Sequence, residues 1–253
     1  MSKIICVASH KNGSGKTTTA VNLSSTLAIS EKKTLIVDCD PRGNATSNLG
    51  IEKNIISNGI HDALIEEIPL EEIIQQSSLD FLQVIPAISD QFQIEKNLSK
   101  NPDNNINLRN LLKSLSDKYE YIIIDTPPES GFLTSMAMVA SDSLLITLEC
   151  QDDAFDGLGE FLENVKKAKI ETNPGLKVAG ILFTMCEDFD EIKEKFSEEA
   201  LSSIRNFVCS TTIPADKQVR NISGVGKPLV LHDIMSKGSI AYLNLAAELI
   251  NRL

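Results

Sequence analysis

The first residues that could carry out chemistry form the stretch SHKNGSGKTTT, residues 9–19, which follows an apolar segment. Gly15, Lys16 and Thr17 match the second half of the phosphate-binding pattern Gly, four residues, Gly-Lys-Ser/Thr. His10 stands where the first glycine of that pattern is expected. In such a loop the lysine bridges the β and γ phosphates of a nucleotide and the threonine hydroxyl ligates Mg²⁺. The pattern predicts nucleotide binding and leaves hydrolysis open.

The backbone of this loop is also suited to phosphate. Gly13 and Gly15 permit close approach and positive φ, and Asn12 is one of the few other residue types that tolerate positive φ. Amides of the loop and of the following helix end would cradle phosphate oxygens. Lys11 adds a second lysine ahead of the cradle, where it could contact its own nucleotide or that of a partner subunit.

Carboxylates follow two further apolar runs. Asp38 is the last residue of the run TLIVD, and Asp40 follows two residues later. Asp125 is the last residue of the run YIIID. Acidic residues at the carboxyl ends of parallel strands beside a phosphate loop hold Mg²⁺ or orient an attacking water. Turns and helix caps are the alternative, because Asp-Pro and Arg-Gly-Asn favour loops. Together with Lys16 and Thr17, Asp125 would complete a magnesium–nucleotide site.

These residues need a scaffold, and the pattern of the whole chain predicts one. Short apolar runs recur, many of them β-branched: IICVA, TLIVD, FLQVIP, YIIID, SLLITL, VAGILFTM and FVCSTTIP. Segments with helical apolar spacing separate them, and a polar loop is expected over residues 99–107. This alternation predicts an α/β fold, a doubly wound and mostly parallel sheet with helices on both faces. Residues 1–253 are expected to form a single domain.

Composition excludes several classes of protein. The net charge is −11, which argues against a generally basic nucleic-acid binder, although residues 203–253 carry six Lys/Arg against three Asp/Glu. The five cysteines are scattered without metal-ligand spacing, so a reduced cytoplasmic protein is expected rather than a zinc or disulfide framework. No run is long enough to span a membrane, and the N-terminal KIICVAS is too short for a signal-peptide core.

The loop with two lysines resembles the deviant Walker A loop, Lys-Gly-Gly-x-Gly-Lys-Ser/Thr, of the ParA/Soj and MinD ATPases. DCDPRGN resembles the Asp-x-Asp-Pro-Gln-Gly-Asn switch of that family, and later segments such as NPGLKVAGILFTM and GKPLVLHDIMSKGS follow in the family's order. The resemblance covers nearly the whole chain. It departs at Asn12, where the family has glycine, and at Arg42, where the family usually has glutamine.

The resemblance implies an ATPase that dimerises on Mg-ATP, with ATP/ADP and Mg²⁺ as cofactors. The catalytic residues it implies are Lys11, reaching the phosphates of the opposite subunit, Lys16, and Asp40, orienting the attacking water. Its magnesium ligands are Thr17 and, through water, Asp125 and Asp40. The nucleotide contacts it implies are Lys11, Asn12, Gly13, Ser14, Gly15, Lys16, Thr17, Thr18, Met185, Pro214 and Asp216.

The resemblance also implies partners: a second copy of the chain in the presence of ATP, a ParB-like protein, and nonspecific DNA in a nucleoid-associated setting. The family's DNA-contacting arginines are missing, since Ala215 and Gln218 stand in the segment IPADKQVR. The candidate substitutes are basic residues of the C-terminal fifth, each of which could equally be a surface charge: Lys217, Arg220, Lys227 and Lys237. DNA binding is therefore expected to be weak and salt-sensitive.

Other members of the superfamily fit less well. A MinD-like protein would need a basic amphipathic C-terminal helix for the membrane, and AAELINRL has no basic extension, so no membrane partner is expected. An iron–sulfur relative would need paired cysteines, which no motif supplies. The first strand starts at once, so an operator-binding domain ahead of it is not expected. A nucleotide switch that hydrolyses weakly stays open, with Asn12 and Arg42 as its altered parts.

Overall fold

The computed structural model describes residues 2–88, 98–100, 104–128, 131–216 and 225–253. Within them seven strands form one sheet in the order β3-β4-β2-β5-β1-β6-β7. The strands are β1 (Lys3–Ala8), β2 (Thr34–Asp38), β3 (Gln75–Gln76), β4 (Leu82–Ile85), β5 (Tyr121–Asp125), β6 (Ser143–Glu149) and β7 (Lys177–Thr184). All pairs are parallel except β3 with β4, so the sheet is mostly parallel as predicted.

Strand β1 shows why both faces of the sheet are covered. Successive side chains of a strand point to opposite faces. Ile4 and Cys6 therefore pack in one hydrophobic core and Ile5 and Val7 in a second one. Both cores exclude solvent, which explains why the run has no polar alternation.

Helices supply the other half of each core. The described ones are α1 (Lys16–Ile29), α2 (Asn44–Asn48), α3 (Ile60–Glu66), α4 (Leu70–Ile73), α5 (Asn104–Ser114), α6 (Phe132–Ala140), α7 (Leu158–Glu171), α8 (Phe189–Lys195), α9 (Glu198–Ile204), α10 (Leu229–His232) and α11 (Lys237–Arg252). Helices α1 and α11 cover one face through residues such as Leu23 and Leu245. Helices α5, α6 and α7 cover the other through Leu112, Met136 and Phe161. The doubly wound α/β class predicted from the sequence is confirmed.

Two local predictions were wrong. The polar segment 99–107 is not a loop throughout, because α5 begins at Asn104. The run FVCSTTIP does not form a strand, since only Val208 and Ile213 make isolated bridges to β7. The second error concerns a segment whose backbone pairing depends on a distant strand, which local sequence does not reveal.

The register of the central strands brings the predicted carboxylates together. Asp125 is the cross-strand partner of both Asp38 on β2 and Val7 on β1. The phosphate loop leaves the end of β1, so it lies at the same edge of the sheet. Among the described residues, no helix combines the length and apolar character that crossing a membrane requires.

Candidate nucleotide-binding site

The loop between β1 and α1 adopts left-handed backbone at its two glycines. Gly13 has φ 81° and Gly15 has φ 80°, conformations that favour glycine. Asn12 is not among the residues with positive φ. The asparagine at the family's glycine position therefore does not strain the backbone of this loop.

Ser14 connects the loop to two strands of the sheet. Its hydroxyl lies 3.0 Å from the Thr147 hydroxyl of β6, and its carbonyl accepts a 3.0 Å hydrogen bond from the Thr184 hydroxyl of β7. Ser14 is buried. Two strands thus hold the loop in place, and any contact of Ser14 with a ligand would come from its backbone.

Lys16 faces this loop from the first turn of α1. Its ammonium donates a 2.9 Å hydrogen bond to the carbonyl of Lys11, and the residue is buried. Burial lowers the pKa of Lys16, while the carboxylates of Asp125 and Asp40 raise it and the Arg42 charge lowers it further. A cation held in this position can exchange one carbonyl oxygen for phosphate oxygens.

Asp125 is buried at the end of β5 with an incomplete set of partners. Neither carboxylate oxygen has a hydrogen-bond donor of ordinary geometry among the described residues. Burial raises the pKa of Asp125 well above its usual range, and the Asp38 charge raises it further, against the lowering effect of the nearby Thr17 hydroxyl. A buried acceptor that lacks a partner is a site for water or an ion. Oxygen ligands and a hydrated coordination shell are what Mg²⁺ prefers, so these residues fit that ion.

Asp38 and Asp40 have different tasks although they are two residues apart. The Asp38 carboxylate accepts hydrogen bonds from the Thr46 amide (2.8 Å), the Thr46 hydroxyl (2.7 Å) and the Asp40 amide (3.2 Å). Asp38 thereby fixes the turn into α2. Asp40 is left to face the cavity, with one oxygen accepting from the Arg42 amide at 3.0 Å.

The cavity at this edge has a volume of about 340 Å³. Its lining residues are Asn12, Gly13, Gly15, Lys16, Thr17, Thr18, Asp40, Arg42, Asn44, Thr126, Pro128 and Met185. Eight of the predicted site residues are in this set: Asn12, Gly13, Gly15, Lys16, Thr17, Thr18, Asp40 and Met185. Asn44 is a lining residue that the sequence reasoning missed. The position of Asn44 at the start of α2, directly after the switch-like segment, was the available signal.

Lys11 points away from this cavity. Its ammonium forms an ion pair with the Asp153 carboxylate at 2.7 Å and also contacts the Asp153 carbonyl. The Lys11 side chain is 24% exposed and that of Asp153 is 61% exposed, so the pair lies at the surface. Within one chain Lys11 is held by its own subunit and does not line the phosphate cavity.

The three predicted nucleotide contacts that lie after β6 in the chain separate into two groups. Met185, with φ 56°, lines the cavity directly after β7. Pro214 and Asp216 do not line it. The Pro214 carbonyl accepts from the Asp216 amide at 2.8 Å, and the Asp216 carboxylate accepts from the Gly238 amide at 3.4 Å. The bridge between Thr184 and Ile213 keeps this segment beside Met185, although outside the cavity wall.

The structure describes two of the four candidate DNA-binding residues. Lys217 and Arg220 lie outside the described residues. Lys227 is exposed in the segment before α10. Lys237 is exposed at the start of α11, where it forms a 3.0 Å ion pair with Glu187.

Comparison with known proteins agrees with this geometry. A protein-family model, the AAA domain, matches residues 2–178. The chromosome partitioning protein ParA of Myxococcus xanthus is 40% identical over 99% of this chain and 88% of its own length. The sporulation initiation inhibitor protein Soj of Bacillus subtilis is 38% identical over 98% of both chains.

One solved structure of similar fold contains a bound nucleotide and magnesium. The septum site-determining protein MinD of Pyrococcus horikoshii, complexed with Mg-ADP, superposes with a TM-score of 0.80. It is 27% identical, and the match covers 98% of this chain and 96% of that one. ADP and magnesium are the cofactor classes predicted from the sequence. Full-length identity to ParA and Soj, together with a two-lysine phosphate loop in the same fold, shows that the chain belongs to the ParA/Soj family of partitioning ATPases.

Proposed function

We propose that this protein is a magnesium-dependent ATPase that dimerises on ATP, binds nonspecific DNA and serves chromosome or plasmid partitioning under a ParB-type partner. The observation that carries the catalytic part is the buried Asp125 carboxylate, which has no donor of ordinary geometry among the described residues and lies beside Thr17 and Lys16. The names and full-length identity of the relatives support the biological setting. Residues 1–253 are taken as one ATPase domain, in the bacterial cytoplasm at the nucleoid.

Phosphate binding rests on the loop and Lys16. The loop amides and the first turn of α1 present N–H groups and a favourable helix end to phosphate oxygens. Lys16 gives up the Lys11 carbonyl and pairs with the β and γ phosphates. Repulsion between the nearby Lys16 and Arg42 cations is relieved when an anion lies between them.

Hydrolysis requires a positioned water and a stabilised phosphoryl group. When bound, Mg²⁺ would neutralise charge on the phosphate oxygens, held by Thr17 and, through water, by Asp125 and Asp40. Asp40 faces the cavity with one oxygen fixed by the Arg42 amide, so its other oxygen is oriented to accept a hydrogen bond from the attacking water. Positioning and electrostatic stabilisation supply most of the acceleration in such reactions.

In the proposed dimer, Lys11 has a catalytic role. We infer that Lys11 exchanges its Asp153 partner for the nucleotide of the opposite subunit and neutralises transition-state charge there. The pair with Asp153 is an exposed one, and ion pairs of that kind contribute little to stability, so it can open at small cost. A Lys11→Ala protein that hydrolyses ATP normally would contradict this role.

One experiment tests the proposal as a whole. The protein is sized with Mg-ADP and then with Mg-ATP, with and without duplex DNA, alongside an Asp40→Ala variant. We expect a monomer with ADP, a dimer with ATP, and a lasting ATP dimer in the variant. A protein that stays monomeric with ATP in both forms would overturn the dimer. A weakly hydrolysing switch is the alternative, and unchanged ATP turnover on adding a ParB-type partner would favour it.

A further inference from the structure

Two cysteines and a glutamate far apart in sequence form a cluster that the proposed function does not use. The Sγ atoms of Cys150 and Cys186 and a carboxylate oxygen of Glu191 all lie within 4.8 Å of one another. Sequence spacing gave no sign of it, because the pairing of β6 with β7 brings the cysteines together. Cys150 directly follows β6, and its amide donates a 2.9 Å hydrogen bond to the carbonyl of Thr184, two residues before Cys186.

The rigid elements around the cluster hold its members. Glu191 lies in the first turn of α8, where Asp188 caps the helix by accepting from the amides of Asp190 and Glu191 at 3.0 Å. The Cys186 thiol donates to the Asp188 carbonyl at 3.1 Å. The donor atoms are thus held by two strand ends and a capped helix.

An ammonium group lies beside the cluster and pairs with its carboxylate. The Lys195 ammonium lies 2.9 Å from a Glu191 oxygen and 2.9 Å from the Cys150 carbonyl. Both cysteines are buried, whereas the Glu191 side chain is 30% exposed, so the cluster is open to solvent on one side. Burial raises the pKa of both thiols.

We propose that Cys150, Cys186 and Glu191 bind one divalent ion of the zinc class, for which thiolate is a preferred ligand. Binding breaks two S–H bonds and forms two metal–sulfur bonds and one metal–oxygen bond, and the two protons pass to solvent. Two thiolates and one carboxylate on a 2+ ion leave one negative charge, which Lys195 balances. Three protein ligands leave a fourth tetrahedral position for water on the exposed Glu191 side. The ion clamps the ends of β6 and β7 to α8, so it is expected to stabilise the folded state.

Cadmium is the probe, because its thiolate complexes absorb in the ultraviolet. The full chain is titrated with Cd²⁺ in the presence of saturating Mg-ADP, which occupies the carboxylates of the nucleotide site. We expect one equivalent to produce the thiolate band, Zn²⁺ to displace it, and the melting temperature to rise with ion concentration. Cys209→Ser is the matched control, since Cys209 is equally buried but lies in the other core.

The variants separate this site from adventitious binding. Cys186→Ser should weaken Cd²⁺ binding by about 100-fold or more and Glu191→Gln by about 10-fold, since even an outer-shell partner costs about 10–100-fold. Cys209→Ser should match the wild type. Each variant is first shown to bind Mg-ADP, which confirms its fold. An unchanged Cd²⁺ band in Cys186→Ser, or a Cys150–Cys186 disulfide in the freshly purified protein that excludes the ion, would overturn the proposal.

Discussion

At the residue scale, the two buried carboxylates at the sheet edge differ in how well they are satisfied. Asp38 accepts three hydrogen bonds, and burial nevertheless raises its pKa to about 7. Asp125 has no donor of ordinary geometry among the described residues, and its pKa is raised well above the usual range. The nucleotide-free protein therefore bears a cost at Asp125 that ligand binding would relieve.

Asp125→Asn should stabilise the nucleotide-free protein while weakening Mg-ATP binding. A carboxyl whose pKa is raised by folding binds protons more tightly in the folded state, so the stability of the wild type falls as pH rises from about 4, the unfolded value, through the folded pKa. Because Asp125→Asn has no carboxyl at this position, its stability does not fall with pH for this reason. In urea unfolding without nucleotide, the unfolding free energy of the variant minus that of the wild type should grow by at least about 1 kcal/mol between pH 5 and pH 8.

A surface carboxylate provides the control for this comparison. Asp117 is exposed after α5, so Asp117→Asn removes the same charge without changing a buried group. Its unfolding free energy should follow the wild type across the same pH range. If Asp125→Asn were more stable than the wild type by the same amount at pH 5 and pH 8, the difference would come from packing and not from the buried charge.

Arg42→Gln tests whether the residue that departs from the family contributes to nucleotide binding. Arg42 lines the cavity with 38% of its side chain exposed, and its Nε lies 4.0 Å from an Asp40 oxygen. A hydrogen bond from a partly exposed cation to phosphate contributes about 1 kcal/mol, so ATP affinity should fall about five-fold. Fluorescent ATP titration measures it, with exposed Arg205→Gln as the control. Unchanged affinity would make Arg42 a surface charge without a nucleotide role.

At the element scale, the phosphate loop depends on left-handed backbone that only its glycines accept readily. Gly15 has φ 80°, and an added Cβ would meet the Thr184 side chain at 3.5 Å, an ordinary contact. Gly15→Ala should therefore cost about 1–2 kcal/mol through its backbone conformation alone and weaken nucleotide binding.

Gly159→Ala is the control for Gly15→Ala, and its effect on stability should have the opposite sign. Gly159 lies near the start of α7, and nothing lies within 4 Å of an added Cβ. Helix propensity predicts a stabilisation of up to about 1 kcal/mol with nucleotide affinity unchanged. Urea unfolding and nucleotide titration of both variants check the pair, and equal stability changes in the two would contradict the backbone explanation.

Six of the seven strands were predictable because burial leaves a run of apolar residues, as in β1 and β5, whereas the short polar strand β3 has no such signal. The predicted loop glycines and the strand-end Asp40 line one cavity because the strand order brings those ends together. The pairing of Lys11 with Asp153 and the cluster of Cys150 with Cys186 were not predictable. Each joins segments distant in sequence, and only the tertiary arrangement decides their contact.

At the scale of the whole molecule, charge sets the conditions for the DNA binding proposed above. A net charge of −11 repels a polyanion over long range, so binding must come from a local basic surface and should weaken steeply with salt. The described candidates differ in availability. Lys227 is exposed and has no ion pair with another described residue, whereas Lys237 must first leave Glu187.

Lys227→Ala should reduce ATP-dependent binding to nonspecific duplex more than Lys237→Ala does. Removing one lysine–phosphate interaction should make the slope of log affinity against log salt less steep by about 0.9, because one fewer counterion is released. A variant with alanine at all four positions, Lys217, Arg220, Lys227 and Lys237, should lose most of the salt dependence. Lys33, an exposed lysine before β2 at the opposite edge of the sheet, is the control, and Lys33→Ala should leave the slope unchanged. A four-residue variant that binds duplex as tightly as the wild type at both low and high salt would show that DNA binds through another surface.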